Sequence, residues 1–420
     1  MPSPCDLAQG LRPFEEALEH LLESLRPLDR VETVPLEASL GRCVAEAVHS
    51  PLDFPPFSNA AMDGLAVRAA EALPGARLKI LGTVLAGQSS GPALGPLGCV
   101  RIFTGAPLPP GADAVVIQEQ VVFTEDLATL AISEPVRAGA HVRKQGEERL
   151  KGAQLLEAGQ RIGPYEAGLL AFAGFAEVKV RRPLNIGLLA TGEELVKPGG
   201  SRQPGQIFES NRPVLAGLVQ KLGHRVTDYG WVGDDRAVLS RTIEMAHRGV
   251  DALITTGGAS EGAADHLSGL LAERGRVDFW KVAIKPGKPF IFGWLGDCPV
   301  FGLPGNPVSA AVTFLALVRP ALDHLAGVRA TSRCLRLPLA QALRRQPGRR
   351  EFLRARLVTD SMGTRVLALP QQGSHCLTSL ALADGLIHLD AAVEALPEGA
   401  LVTIELLFGA ERGFGGEIDG

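Results

Sequence analysis

Ile186-Gly187-Leu188-Leu189-Ala190-Thr191-Gly192-Glu193-Glu194 is a short apolar run that stops in a small polar turn. A run of that length, closed by glycine and carboxylates, reads as a buried strand feeding a loop. Outward from it, the spacing predicts a helix near 211–222, where Val214, Leu215, Leu218, Val219 and Leu222 line one side and Gly223 supplies the stop. A strand over Arg225 to Val232 follows, then a helix near 235–248, a strand over Ala252 to Thr256 and a helix near 264–274. Strictly alternating strands and helices imply βαβ units, hence a doubly wound, mostly parallel α/β sheet with helices on both faces.

In such a sheet the loops at the carboxyl ends of the strands converge on a ligand crevice. Here they carry Thr191 to Glu194, Gly257-Gly258-Ala259-Ser260 with Asp265 beyond, and Pro304-Gly305-Asn306-Pro307 before an apolar helix through Val318. Asn306 suits a helix cap, Pro307 the first turn, and Gly305 lets a ligand approach the backbone. That helix start, together with the Gly257 to Ser260 loop, suits a phosphate or pyrophosphate. Lys281, Lys285 and Lys288 lie around a stiff Lys-Pro-Gly-Lys-Pro loop suited to anion contact, and Glu194, Asp234, Asp235 and Asp265 are the hard oxygen donors that magnesium uses beside phosphates. One of Asp234 and Asp235 is expected to be only a helix cap.

The rest of the 420 residues reads as three further parts. Phe14, Ala17, Leu18, Leu21, Leu22 and Leu25 predict a helix over 13–26, and Leu40, Val44 and Val48 a second one. The proline-rich stretch 51–56 marks a boundary, after which residues 52–148 show short β-like runs between Gly and Pro clusters. Residues 1–51 and 149–181 then make a helical or mixed domain with that β-rich module inserted, 182–328 the α/β domain, and 329–412 a small C-terminal β-barrel or sandwich. The helical pattern fades after Pro320.

Lys plus Arg number 42 against 46 Asp plus Glu, so no global positive field favours nucleic acid or a membrane surface. The uncharged run 167–176 is too short to cross a bilayer and is expected in the core, and the acidic first thirty residues lack an export pattern, which points to the cytoplasm. Six isolated cysteines and nine scattered histidines argue against a disulfide framework or a structural zinc, and the cysteines are expected to be buried thiols.

The chain resembles the molybdopterin molybdenumtransferases, and is similar to the E domain of gephyrin. The resemblance is carried by Pro51-Leu52-Asp53, Asn59-Ala60-Ala61-Met62-Asp63-Gly64, Arg101 to Pro107, Gln118-Glu119-Gln120, Thr191 to Leu195, Gly257 to Asp265, Lys281 to Pro289, Gly302 to Ser309 and Gln372-Gly373-Ser374-His375. It implies a cytoplasmic homodimer joined through the first domain. The active site would lie between the α/β and C-terminal domains of one subunit and the β module of the other. The implied enzyme takes adenylylated molybdopterin and molybdate, uses a divalent cation such as Mg2+, hydrolyses the pyrophosphate link, releases AMP and leaves the molybdenum cofactor. A transient contact with a molybdopterin adenylyltransferase is also implied.

Carried onto this sequence, Asp63, Glu148, Glu194, Asp234, Asp265, Lys281 and Lys285 would be catalytic, with Glu194, Asp234 and Asp265 holding the cation. Thr104, Gly257, Gly258, Ser260, Lys288, Pro304, Gly305, Asn306, Pro307, Ser374 and either Arg349 or Arg350 would bind the ligand. Three positions depart from the family pattern: Glu148 stands in place of Asp after Gly-Glu, Glu193 in place of Asp, and Leu65 in place of an aromatic. The longer side chain at 148 keeps open a second reading, a catalytically detuned relative that binds the pterin or a partner as a scaffold. The α/β domain alone also resembles the adenylyltransferases.

Overall fold

The computed structural model describes residues 10–233, 235–257, 264–329, 333–361 and 363–407, without the side chains of 264–266. Phe14–Ser24 forms the first helix (α1), and its apolar stripe buries Ala17 and Leu21. The expected second helix at Leu40 to Val48 does not form: Cys43 and Val44 bridge to Arg161 and Val180, and Val48–His49 pairs with Gln154–Leu156. Valines at helical spacing are here spent on extended pairing, which β-branched residues favour. Val31–Pro35 likewise pairs with Glu177–Arg181, so the segments before and after the β-rich stretch hold each other.

Within residues 52–148 a six-stranded sheet runs in the order Ala114–Ile117, Gly64–Val67, Gly98–Ile102, Arg77–Val84, Leu127–Leu130, Val121–Phe123. Leu65 is fully buried there between Arg101 and Val116, so its departure from the family pattern is absorbed by core packing. Helix α2, Pro164–Phe172, buries Leu170, whereas Tyr165 is 88 % and Phe172 60 % exposed. The run 167–176 is therefore only partly core.

The central sheet has the spatial order Arg225–Val232, Asn185–Thr191, Ala252–Thr256, Cys298–Leu303, Ile291–Leu295, Arg276–Trp280. The first four strands run parallel, Ile291–Leu295 runs against them, and Arg276–Trp280, antiparallel to Ile291–Leu295, runs with them again. Helices α3 (Asn211–Lys221) and α4 (Arg236–His247) connect three of the parallel strands, and α5 (Ala264–Arg274) leads from Ala252–Thr256 to the far edge strand Arg276–Trp280. Asp235 caps α4, accepting from the N–H groups of Ala237 and Val238 at 2.7 and 3.1 Å, as expected of one of the adjacent aspartates. Those bonds hold its carboxyl below its ordinary value.

Helix α6, Pro307–Leu325, is long and apolar enough to cross a membrane, yet 78 % of it is buried inside the protein, as in a core helix. It does not stop at Pro320. Pro320 has no N–H to give and would crowd the preceding turn, and the widened π turn at Phe314–Val318 takes up that defect. Cys43, Cys99 and Cys298 are buried thiols, but Cys376 is half-buried and Cys334 exposed; Cys5 lies outside the described residues.

The last sheet runs Ile284–Lys285, Arg350–Asp360, Gly385–Leu389, Leu401–Leu406, Cys334–Pro338, with Gly363–Ala368 also on Arg350–Asp360. A bridge from Leu339 to Val366 returns the last strand to Gly363–Ala368 and closes a small barrel around Leu353, Ile387 and Ile404. A short helix α7, Leu377–Leu382, lies beside it. One of its strands, Arg350–Asp360, pairs with the lysine loop of the preceding sequence: Ile284 lies opposite Arg350 and Lys285 opposite Glu351 because the barrel borrows that segment as an edge.

His224, just after α3, is buried, and its Nδ1 accepts the Leu184 N–H at 3.4 Å. Burial, aided by the Arg161 charge, pushes its pKa down to about 4. An unfolded imidazole titrates near ~6.5. As pH falls below that value, the unfolded chain gains a proton that the folded chain refuses until its own lower pKa is reached. Stability is therefore complete above the unfolded pKa and declines by up to about 3 kcal/mol as pH drops to the folded one. Urea melts across this window should show His224→Gln with a shallower acid slope than the natural protein; equal slopes would refute the assignment.

Candidate functional site

Strand order reverses between Asn185–Thr191 and Ala252–Thr256, which places the ligand crevice at their carboxyl ends. The two ends touch: a β-carbon on Gly257, whose φ is +85°, would fall far inside contact distance of the Thr191 carbonyl oxygen. A β-carbon on Gly305, just beyond Cys298–Leu303, would stand 3.5 Å from the Gly257 α-carbon, so these two loops also approach closely. Three loops thus meet without side chains between them. Gly258 and Ser260 lie outside the described residues, as does Asp234, and Asp265 is placed only as part of α5.

Sequence reasoning missed Asn211 at this edge. Its Nδ2 donates to Thr256 Oγ1 at 2.8 Å and to the Gly305 carbonyl at 2.7 Å, while Thr256 Oγ1 donates to the Pro304 carbonyl at 3.0 Å. Asn306 is the residue before α6, but its side chain makes no capping bond and is exposed, contrary to expectation. One of the first amides of the helix, Val308 N–H, is taken instead by the Ser374 carbonyl at 3.1 Å. Ser374 therefore reaches this edge through its backbone.

The lysine loop is anchored rather than free. Lys285 Nζ lies 2.8 Å from Glu351 Oε1, and buried Glu351 also takes Arg345 Nε at 2.6 Å. Lys281 has φ +68°, unusual for a side chain with a β-carbon, and its ammonium sits 4.5 Å over the Trp280 ring. The Lys288 carbonyl accepts the Val282 N–H. Glu194 folds back over Gly192, and its exposed carboxylate has no ion-pair partner among the described residues. No group of three or more metal-ligating side chains occurs among the described residues.

Arg350 does not face an oxyanion pocket: it pairs with Glu15 at 2.8 Å and Asp390 at 2.6 Å and covers the Phe14 ring, tying the barrel to α1. Arg349 is half-buried and gives its carbonyl to Arg345. The arginine that serves the 371–376 loop is Arg354, 1 % exposed, donating to Ser379 Oγ and the Gly373 carbonyl at 3.2 Å and to the Gln371 carbonyl at 3.4 Å. Burial pulls its pKa down, and no carboxylate bonds to it among the described residues. Gln372 clasps the Arg354 main chain through both ends of its amide. The sequence signal was available, since Arg354 is two residues from buried Phe352 and so shares its inward face.

In the β module Asp63 Oδ1 accepts both the Thr104 N–H and the Thr104 hydroxyl at 2.7 Å. The backbone bond, then the hydroxyl, holds the Asp63 carboxyl below its ordinary value. Glu148 is exposed and, among the described residues, is fixed only by its N–H on the Phe54 carbonyl, while Asp53 pins the same turn through Lys151 N–H and Gln145. No hydrogen bond or ion pair joins Asp63, Thr104 or Glu148 to the central loops among the described residues of this subunit.

A parallel sheet whose switch point brings close-packed glycines and a helix start together, near lysines and a buried arginine, defines an α/β protein with a ligand crevice at the carboxyl ends of its strands. The sequence matches three family models: the MoeA N-terminal region (domain I and II) over residues 12–174, a probable molybdopterin binding domain over 187–324, and the MoeA C-terminal region (domain IV) over 336–407. It is 38 % identical to a molybdopterin molybdenumtransferase of Haemophilus influenzae, covering 93 % of this chain and 98 % of that one, and 35 % identical to one of Synechococcus elongatus over 94 % and 99 %. The crystal structure of a molybdopterin biosynthesis moeA protein from Pyrococcus horikoshii superposes with a TM-score of 0.82 at 28 % identity, covering 94 % of this chain and all of that one. The chain belongs to the molybdopterin molybdenumtransferase family.

Proposed function

We propose that this protein inserts molybdenum from molybdate into adenylylated molybdopterin, with cleavage of the pyrophosphate link and release of AMP. The observation that carries the reading is the meeting of the Gly257 and Gly305 loops at the sheet's switch point, with the Ser374 loop docked on the same helix start. The Gly305 and Gly257 backbone would hold the phosphate end. Lys281 and Lys285 would offset charge on phosphate and molybdate oxygens, and Arg354 would keep the Ser374 loop in place from beneath.

Magnesium is the divalent cation of this proposal, and its chemistry when bound is to neutralise the anhydride oxygens. Glu194 is a hard oxygen donor of the right kind, and Asp234 and Asp265 are its proposed companions. The cytoplasm is the proposed location, and the adenylyltransferase that makes the substrate is a proposed transient partner.

Molybdate-dependent AMP release by the purified protein with magnesium tests the function, run beside Glu148→Asp. Release by the natural protein is expected; release only by the variant would favour the detuned scaffold. We also propose a homodimer in which the Asp63–Thr104 pair of one subunit completes the crevice of the other, supported by the exposed Tyr165 and Phe172 on α2. Mixing Asp63→Asn with Lys285→Ala should then restore roughly a quarter of natural activity through heterodimers with one intact site, given random exchange of subunits in a two-fold dimer. No recovery after verified exchange would place both residues in one subunit's site.

A further inference from the structure

Asn211, Thr256 and the Pro304–Gly305 backbone come from three separate segments and form one directed hydrogen-bond chain beneath the loop before α6. The Gly305 carbonyl can only accept, so the Asn211 atom facing it is the amide nitrogen. Both amide hydrogens are then committed, one to Gly305 and one to Thr256 Oγ1, whose own hydrogen is left for the Pro304 carbonyl. The half-buried asparagine opens α3, yet its side chain bonds to a strand end and a loop elsewhere in the sequence rather than to its own helix.

The peptide bonds on either side of Gly305 are trans. In a trans peptide the carbonyl and the N–H point in opposite directions. Drawing the Pro304 and Gly305 carbonyls back against the sheet therefore turns the Gly305 and Asn306 N–H groups away from it. Neither N–H has a backbone partner among the described residues. Thr256 is fully enclosed, so this arrangement is held in a setting where bonded dipoles reinforce one another.

We infer that Asn211 is a positioning residue for the phosphate end of the substrate, holding the Pro304 and Gly305 carbonyls inward so that two backbone amides face the crevice. The identity of the ligand rests on the function proposed above. Without Asn211 the Gly305 peptide is free to rotate, and an amide that must be re-aimed at each binding event contributes less than one already in place.

The test uses the full chain, with inorganic pyrophosphate as the binding probe in calorimetry and AMP release as the kinetic readout. Asn211→Ala is expected to weaken pyrophosphate binding and raise KM by about 10- to 100-fold, the range for losing hydrogen bonds to a charged group, with a smaller effect on kcat. Thr256→Val should move the same quantities in the same direction, and Thr256→Ser, which keeps the hydroxyl, should restore them. Asn211→Asp should match the alanine variant while ionised and recover partly as pH falls, because only the protonated acid can donate to Gly305. Unchanged Kd and KM in the folded fraction of Asn211→Ala, with only a lower melting temperature, would overturn the inference. If the natural protein binds pyrophosphate but releases no AMP, the proposed reaction fails while the binding series still decides Asn211. If it binds no pyrophosphate, the loop is not a phosphate site and the inference fails with it.

Discussion

Arg354→Met should lose far more activity than stability. Methionine fills much the same volume and removes a guanidinium that is buried without a carboxylate partner, a costly arrangement in a low-dielectric interior. What it cannot replace are the donors that hold the Gln371 and Gly373 carbonyls, and hence the loop whose Ser374 carbonyl meets α6. A loss of about 100-fold in kcat/KM is expected, the scale of removing one preorganised polar group from a site. Arg354→Ala should in addition destabilise by about 3–5 kcal/mol, since it leaves a cavity together with unpaired carbonyls. Urea melts and AMP-release kinetics on both variants separate the two effects, and near-natural kcat/KM in Arg354→Met would reject the assignment.

Gly257→Ala carries the second large expected effect. The added methyl would be driven into the Thr191 carbonyl and stand 3.0 Å from Thr191 Oγ1, at a backbone angle that side chains avoid. Relief requires one of the two strand ends to move, and the Gly305 loop approaches the Gly257 backbone closely. A shift of about 1 Å in reacting groups can cost 100-fold in rate, and the strain itself should lower stability by about 2–4 kcal/mol. Gly217→Ala, in the middle of α3 with open space around it, is the control and should stabilise by up to about 1 kcal/mol. A Gly257→Ala protein with unaltered pyrophosphate affinity and melting temperature would show that the strand ends do not need their close approach.

The central sheet was legible because its strands alternate with amphipathic helices at regular spacing, and Asn185–Thr191, Arg225–Val232 and Ala252–Thr256 lie where the pattern puts them. The segment Leu40 to Val48 was misleading because three apolar residues four apart suit a helix, whereas the pairing partners of Cys43, Val44 and Val48, namely Arg161, Val180 and Leu156, are supplied from more than a hundred residues away. Pro320 misled for a different reason: a π turn lets a helix pass a proline that the one-dimensional rule treats as a stop. In the site, the loop glycines and lysines were visible as motifs. Asn211 was not, because its role consists of bonds to a remote strand end and loop, which no local spacing encodes; for Arg354 the spacing showed an inward-facing position but not the loop carbonyls it serves. Arg350 drew attention by adjacency alone, and its true partners, Glu15 and Asp390, lie on separate elements.

The pairing of Ile284–Lys285 with Arg350–Glu351 leaves the molecule without a clean seam between its central sheet and its final barrel. A chain severed between α6 and Arg350 would keep every strand of the central sheet yet expose Ile284 as a bare edge and leave Lys285 without its carboxylate. For anyone recombining parts of such proteins, residues 182–407 behave as one indivisible cassette: a barrel exchanged for a foreign one must bring its own carboxylate opposite Lys285 and its own strand to receive Ile284.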